Sequence, residues 1–265
     1  MKDLRNLLHN PPNEYRPIPF WAWNARLEAE ESRRQVRELF EKGNGGFFMH
    51  ARGGLTTPFM GDEWMENVKA SIDEGEKYNM GAWGYDENGW PSGFDDGRVN
   101  ELGIEYQQKY LRMEVTSKPK ETETTIRNIE HGGENLHFYY EVNEFYVDTL
   151  NAKVTDKFIE AIYEEYKLKL GEDFSRLKGF FTDEPQVSRN GIPWSFILPD
   201  EYKNAYNEDL LSVLPDLFLD TDTSMQTRFR FWHLVCELFA DNFAKRIYEW
   251  CEKKGVLLTG HRVLE

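Results

Sequence analysis

Gly81-Ala82-Trp83-Gly84-Tyr85-Asp86-Glu87-Asn88-Gly89-Trp90-Pro91-Ser92-Gly93 is the stretch on which the fold turns. An apolar run ends abruptly in carboxylates, and a segment rich in Gly and Pro follows. A strand covered on both faces reads as a continuous apolar run rather than as an alternation, so Gly81 to Asp86 is expected inside a parallel sheet. Working outward, four more runs share the pattern: Ile18 to Trp23, Gly46 to His50, Leu177 to Thr182 and Val256 to Gly260. Between them lie segments whose apolar positions recur every three or four residues, the stripe of a core-facing helix. Ala29, Ser32, Val36, Leu39 and Phe40 mark the first, ended by Gly43, and Met65, Val68 and Ile72 the second, with Asp62 at its start. Val154, Phe158, Ile162 and Tyr166 mark the third, ended by Gly171. Met225, Phe229, Trp232, Cys236, Phe239, Phe243, Ile247 and Trp250 mark the last.

Alternating strand and helix units point to an α/β fold with parallel pairing. Two segments interrupt the alternation. From Gln107 to Val147 the chain is rich in Thr, Tyr, Val, Ile and Phe with polar residues interleaved around His131-Gly132-Gly133, the pattern of an antiparallel hairpin or meander inserted after the third strand, at residues 105–148. From Gln186 to Asp222, aromatic residues and prolines predict a long loop with short helices over the strand ends. The expected fold class is therefore a (β/α)8 barrel type, incomplete at five βα units, in one domain over residues 1–265. A full barrel takes about 250 residues without such insertions. The open edge at Val256 to Gly260 is a pairing liability, so the remainder of a barrel or self-association is expected to cover it.

Composition bounds the partners. The 265 residues carry 32 basic against 47 acidic side chains, a net charge of −15, and 40% are hydrophobic. That is ample for a core and excludes a disordered chain. Nucleic acid is not an expected partner, because binding a phosphate backbone needs a positive surface. No apolar run approaches the roughly 20 residues that span a bilayer, so no membrane partner is expected. The N-terminal residues lack the apolar stretch of a secretory signal, and a cytoplasmic location is the expectation. Cys236 and Cys251 are read as free core thiols.

In parallel α/β folds, ligands bind beyond the C-terminal ends of the strands. The residues expected there are Trp23 and Asn24, then His50 and Arg52, then Asp86, Glu87 and Trp90, then Asp183 and Glu184, then His261 and Arg262. Acids at adjacent strand ends suit the general acid and base of glycoside hydrolysis. Glu184 is the expected proton donor, since a carboxyl among aromatic residues and another carboxylate tends to hold its proton. Asp86 and Glu87 are the candidate bases. Trp23, Trp90 and Trp194 are candidates to stack on sugar faces, while Asn24, His50, Arg52, Asp183 and His261 would hold hydroxyls. The rival structural role is pairing of the acids with Arg52, Arg189 or Arg262. No metal site is read from the sequence: Asp86-Glu87-Asn88-Gly89 lacks the closing glutamate of a calcium loop, and no His-Glu-x-x-His or Cys-x-x-Cys occurs.

Five motifs carry a resemblance: Pro19-Phe20-Trp21-Ala22-Trp23-Asn24, Gly45-Gly46-Phe47-Phe48-Met49-His50-Ala51-Arg52, Tyr85 to Gly93, Phe181-Thr182-Asp183-Glu184-Pro185 and Thr259-Gly260-His261. In order, they resemble the N-terminal barrel region of the glycoside hydrolase family 106 α-L-rhamnosidases. The resemblance implies a (β/α)8 catalytic domain, an exo-acting inverting hydrolase of terminal deoxy-sugars on glycans, and room for calcium dependence. Members of that family are far longer, so the chain is expected to be a fragment. Glu184 would protonate the leaving oxygen while a second carboxylate, roughly 6.5–9.5 Å away, activates water. Two alternatives stand beside this one: a catalytically inactive carbohydrate-binding fragment, and a metal-dependent hydrolase with ligands among His50, Asp86, Asp183 and His261.

Overall fold

The computed structural model describes residues 4–261, and Arg262 lies outside the described residues. Two compact units are present. One is built from the residues up to Asp96, Phe158–Pro185 and the residues from Ile247 onward, the other from Gly97–Lys157 and Gln186–Arg246.

The first unit holds a five-stranded sheet of β1 (Phe20–Trp23), β2 (Gly46–Ala51), β3 (Gly81–Asn88), β7 (Gly179–Asp183) and β9 (Leu257–His261), side by side in that order. All four pairings are parallel. The five strands are those expected, within three residues at each end. Every residue of central β2 is buried, which is why it reads as unbroken apolar text. Helices Ala29–Glu41 and Asp62–Lys77 make the first two crossovers.

The sheet is strongly curved. Neighbouring strands lie about 4.8 Å apart, so the first and fourth strands of a flat sheet would be separated by about 14 Å. Phe20 on β1 nevertheless meets Phe181 on β7 with ring centroids 4.8 Å apart, and His261 on β9 at 6.2 Å. The concave face carries Phe20, Phe48, His50, Trp83, Tyr85 and Phe181, whose rings contact one another. Closure into a barrel is not seen among the described residues, where β1 and β9 are both edges. Phe20 stays 43% exposed at that open side and Leu257 52%.

Trp83 fits the concave layer because its partner in register is Gly179. A Cβ at Gly179 would lie 2.2 Å from the Leu257 carbonyl oxygen and 2.6 Å from the Trp83 ring. Gly179→Ala is therefore expected to force β7 away from β9 and to cost about 1–3 kcal/mol, the usual range for overpacking. A denaturation midpoint equal to that of the unsubstituted chain would refute this close approach.

The second unit contains an antiparallel sheet of β4 (Gln107–Thr116), β5 (Thr125–His131), β6 (Glu134–Val147) and β8 (Ile192–Trp194) in the order β5-β6-β4-β8. The inserted meander thus falls where the sequence predicts it. Residues 186–222 contain short helices as expected, Leu198–Tyr206 and Leu214–Phe218, and add the strand β8; these pack into this unit's own core together with Leu111, Leu136 and Phe138. Trp194 is 4% exposed in that core and offers no sugar platform.

The last helical run spans Ser224–Phe239, a π-helical stretch Ala240–Lys245 and Arg246–Lys254. Its early stripe is the reverse of the expected one. Met225 is 84% exposed, Phe229 71% and Trp232 43%, whereas Thr227, Phe231, Leu234 and Val235 are buried. Two apolar stripes satisfy the helical period here, and packing selects the second. The π stretch adds residues to the turn and resets the phase, so Phe243 and Ile247 are buried as expected. Of the two thiols, Cys251 is buried and Cys236 exposed.

Candidate functional site at the strand ends

Alternation along a strand decides which side chains reach the concave face. On β1, Trp21 and Trp23 point to the helical layer. Trp21 donates to Gln35, and Trp23, 2% exposed, lies edge-on to Trp64 at 4.7 Å. Trp23, expected to floor a sugar site, is a core residue. Asn24 follows it at the exposed end of β1 and lines a hollow of about 100 Å³.

His50 on β2 faces the concave side and stacks on Tyr85 with ring centroids 3.7 Å apart. Burial pushes its imidazole down to about 4, helped by the nearby Arg52 charge and resisted by a hydrogen bond to the Gly89 backbone. His50 is therefore neutral near pH 7, and its Nε2 is buried with no hydrogen-bond partner. Arg52 itself is exposed.

Tyr85 is the centre of the arrangement. Its hydroxyl, 2.8 Å away, donates to Oδ2 of Asp183, while Oδ1 of Asp183 sits 3.2 Å from Nδ1 of His261. Burial, with the adjacent Asp183 carboxylate, raises the Tyr85 phenol far above its usual range, so it remains a donor. The Asp183 backbone N–H donates to Ser92 Oγ at 2.7 Å, and the Ser92 N–H returns a bond to the Asp183 carbonyl at 2.8 Å. Asp183 is thus gripped through both carboxylate oxygens and its backbone.

Glu184 comes next and has a φ of +43°, left-handed backbone that a residue with a Cβ adopts only under strain. Pro185 adds to the cost, since the residue before proline favours extended backbone. Strain of this kind persists where the surroundings over-determine it, and such positions cluster at functional sites. The Glu184 N–H is anchored to the His261 carbonyl at 3.0 Å, which ties the end of β7 to the end of β9. The Glu184 side chain is half-buried, and among the described residues no hydrogen bond or ion pair engages its carboxylate.

The two candidate bases lie elsewhere. Asp86 is fully buried on the helical side of β3, where it accepts from Ser92 and from Tyr163, both at 2.5 Å. Tyr163 lies in the π-helical stretch Ile159–Glu164, a local widening that aims its hydroxyl at the sheet. Burial pushes the Asp86 carboxyl up to about 7, against the pull of its hydroxyl donors. Glu87 is also fully buried and accepts the backbone N–H groups of Asn88, Gly93, Phe94, Asp95 and Asp96 at 2.8–3.2 Å. Burial pushes it up to about 8, opposed by those amides. It is the organiser of the loop that carries Trp90, a half-buried residue joined to Pro91 by a cis peptide bond. Sequence reasoning missed Tyr85, Ser92 and Tyr163. Tyr85 ends the apolar run and Ser92 lies in the loop after β3, but nothing local marks Tyr163 as the partner of a residue 77 positions earlier.

The Asp86 environment sets a pH dependence. Its folded value near 7 lies above its usual 3.8, so the folded chain holds a proton that the unfolded chain has released between pH 4 and 7. The stabilisation is complete below that window and lost as pH rises through it. His50 works in the opposite sense between pH 4 and 6.5, so the comparison must be with Asp86→Asn rather than with the absolute curve. The unsubstituted chain is expected to lose stability relative to Asp86→Asn by about 1 kcal/mol per pH unit across the window. A constant difference from pH 4 to 7.5 would exclude this assignment.

Among the described residues, no group of three His, Cys, Asp or Glu side chains is arranged to hold a metal ion. His50, Asp86, Asp183 and His261 have no common focus: Asp86 turns to Tyr163 on the helical side, while Asp183 and His261 meet on the concave face.

No protein-family model and no curated protein matches the sequence. Among solved structures, the chain is similar to the rhamnosidase from Novosphingobium sp. PP1Y, with a TM-score of 0.70 at 10% identity. The similarity covers 99% of this chain and 47% of that enzyme, so the chain spans about half its length. At this identity the likeness is one of fold, α/β with a parallel sheet.

Proposed function

We propose that the concave strand-end face takes the terminal sugar of a glycan and that the protein is a glycoside hydrolase of rhamnosidase type, with Glu184 protonating the departing glycosidic oxygen. The observation that carries this reading is Glu184 itself: strained backbone at a strand end, an unengaged carboxylate, and a neighbour, Asp183, immobilised by Tyr85 and His261. A proton donor needs a fixed backbone and a free carboxyl, and a hydroxyl-binding carboxylate needs rigid orientation. Asp183 and His261 are assigned to sugar hydroxyls, with Arg52 and Asn24 at the rim. The fold it shares with a rhamnosidase supports the substrate class.

Asp86 and Glu87 are not proposed as the water-activating base, because both are fully enclosed, without the exposed edge that the Asp183 side chain keeps at the concave face. The same fact favours a second reading, carbohydrate binding without turnover. An aryl α-L-rhamnoside separates the two. Aglycone release with the β-anomer of rhamnose formed first, followed by NMR, is the expected result for an inverting hydrolase. Saturable binding of the glycoside without release would establish the second reading, and neither binding nor release would remove both.

A further inference from the structure

The polar face of the second unit's sheet, buried at Gln108 and Tyr110, half-buried at Tyr139 and open at Glu141 and Phe145, carries a site unrelated to the strand ends. Cross-strand register sets Gln108 opposite Asn143, Tyr110 opposite Glu141, and Arg112 opposite Tyr139, all on one face. The opposite face, with Leu111, Met113, Phe138 and Tyr140, belongs to the core. Along the polar face runs a groove of about 690 Å³ whose lining includes Tyr110, Tyr139, Glu141, Asn143, Phe145 and Asn190.

The side chains in it are held in place. The Tyr110 hydroxyl and the Asn143 amide both donate to Gln108 Oε1, at 2.7 and 2.9 Å, and Gln108 is itself 3% exposed. Arg112 donates to Glu141 at 2.6 Å and to the Asn190 carbonyl at 2.8 Å, and its guanidinium lies 5.4 Å from the Tyr110 ring. Tyr139 stacks on His137, which is pinned between Glu114 and Thr125. Phe145 projects from the bulge where β6 slips register between Asn143 and Val147, and it is 85% exposed.

Flat rings beside preorganised planar polar groups are what a neutral sugar requires. A pyranose offers an apolar C–H face to an aromatic ring, and adjacent hydroxyls to a carboxylate, an amide or a guanidinium. The Arg112 charge is cancelled by Glu141, and a chain with net charge −15 repels polyanions. We infer that this groove is a binding site for a neutral oligosaccharide, separate from the strand-end residues and independent of whether those residues catalyse.

The test is calorimetric titration of the whole chain with three uncharged probes: an α-L-rhamno-oligosaccharide, xylohexaose and cellohexaose. Saturable binding to at least one is expected, and Tyr139→Ala is expected to weaken it by about tenfold or more, as loss of an aromatic anchor does. Tyr139 also packs on His137, so Phe145→Ala, at a largely exposed position, serves as the variant that leaves folding intact and should weaken binding too. Glu184→Gln should leave this affinity unchanged. Binding abolished by Glu184→Gln but untouched by Tyr139→Ala and Phe145→Ala would overturn the inference, as would no saturable binding to any of the three probes.

Discussion

Glu184→Gln is expected to lower the turnover of an α-L-rhamnoside with a poor leaving group by about 10²–10⁴-fold, the usual contribution of a positioned general acid. Glutamine preserves size and the anchored backbone, including the N–H bond to His261 and the left-handed φ, and removes only the transferable proton. KM should change little, because the lost interaction exists in the transition state alone. The diagnostic feature is leaving-group dependence. A dinitrophenyl glycoside, whose aglycone departs as a stable anion, needs no protonation and should be cleaved almost as fast by the variant as by the parent. Equal losses on both substrates would make Glu184 a binding or structural residue and end its role as acid.

Glu87→Ala is expected to destabilise the chain by about 3 kcal/mol or more, although Glu87 contributes nothing to the proposed chemistry. Its carboxylate is the common acceptor for five backbone N–H groups, those of Asn88 and of the run Gly93 to Asp96. Each amide left buried without an acceptor costs about 1–3 kcal/mol, less whatever water recovers by entering. The same loop supplies Ser92, which bonds Asp183 on one side and Asp86 on the other. Its collapse should therefore also loosen Asp183, and sugar binding should fall together with the denaturation midpoint. A loss below about 1 kcal/mol, the scale of an ordinary surface change, would mean that the loop does not depend on this carboxylate.

Much of the architecture was legible in the residues alone. The three inner strands, β2, β3 and β7, read as apolar runs because both of their faces are covered, and the edge strands β1 and β9 carry similar runs although they stay largely exposed. The meander at Gln107 to Val147 reads as β because its aromatic and β-branched residues alternate with polar ones. The helices over Ala29–Glu41 and Asp62–Lys77 follow from their periodic stripes. The strand-end rule also found the concave residues His50, Asp183 and His261, since the end of a run is visible in a linear text.

What the residues could not decide was direction. Asp86 and Asp183 both end strands, yet Asp183 meets Tyr85 and His261 on the concave face while Asp86 turns to Tyr163 among the helices. The register shift between β2 and β3, where Met49 pairs with Gly84 but Ala51 with Asn88, is announced by no local pattern either. Trp23 is likewise spent on Trp64, and the stripe from Met225 to Trp232 is left to solvent, because two faces of one helix were equally apolar. Hydrophobic periodicity is a property of neighbours along the chain, and it specifies which segments are buried. The choice of face depends on partners up to a hundred residues away, and only packing them together makes that choice.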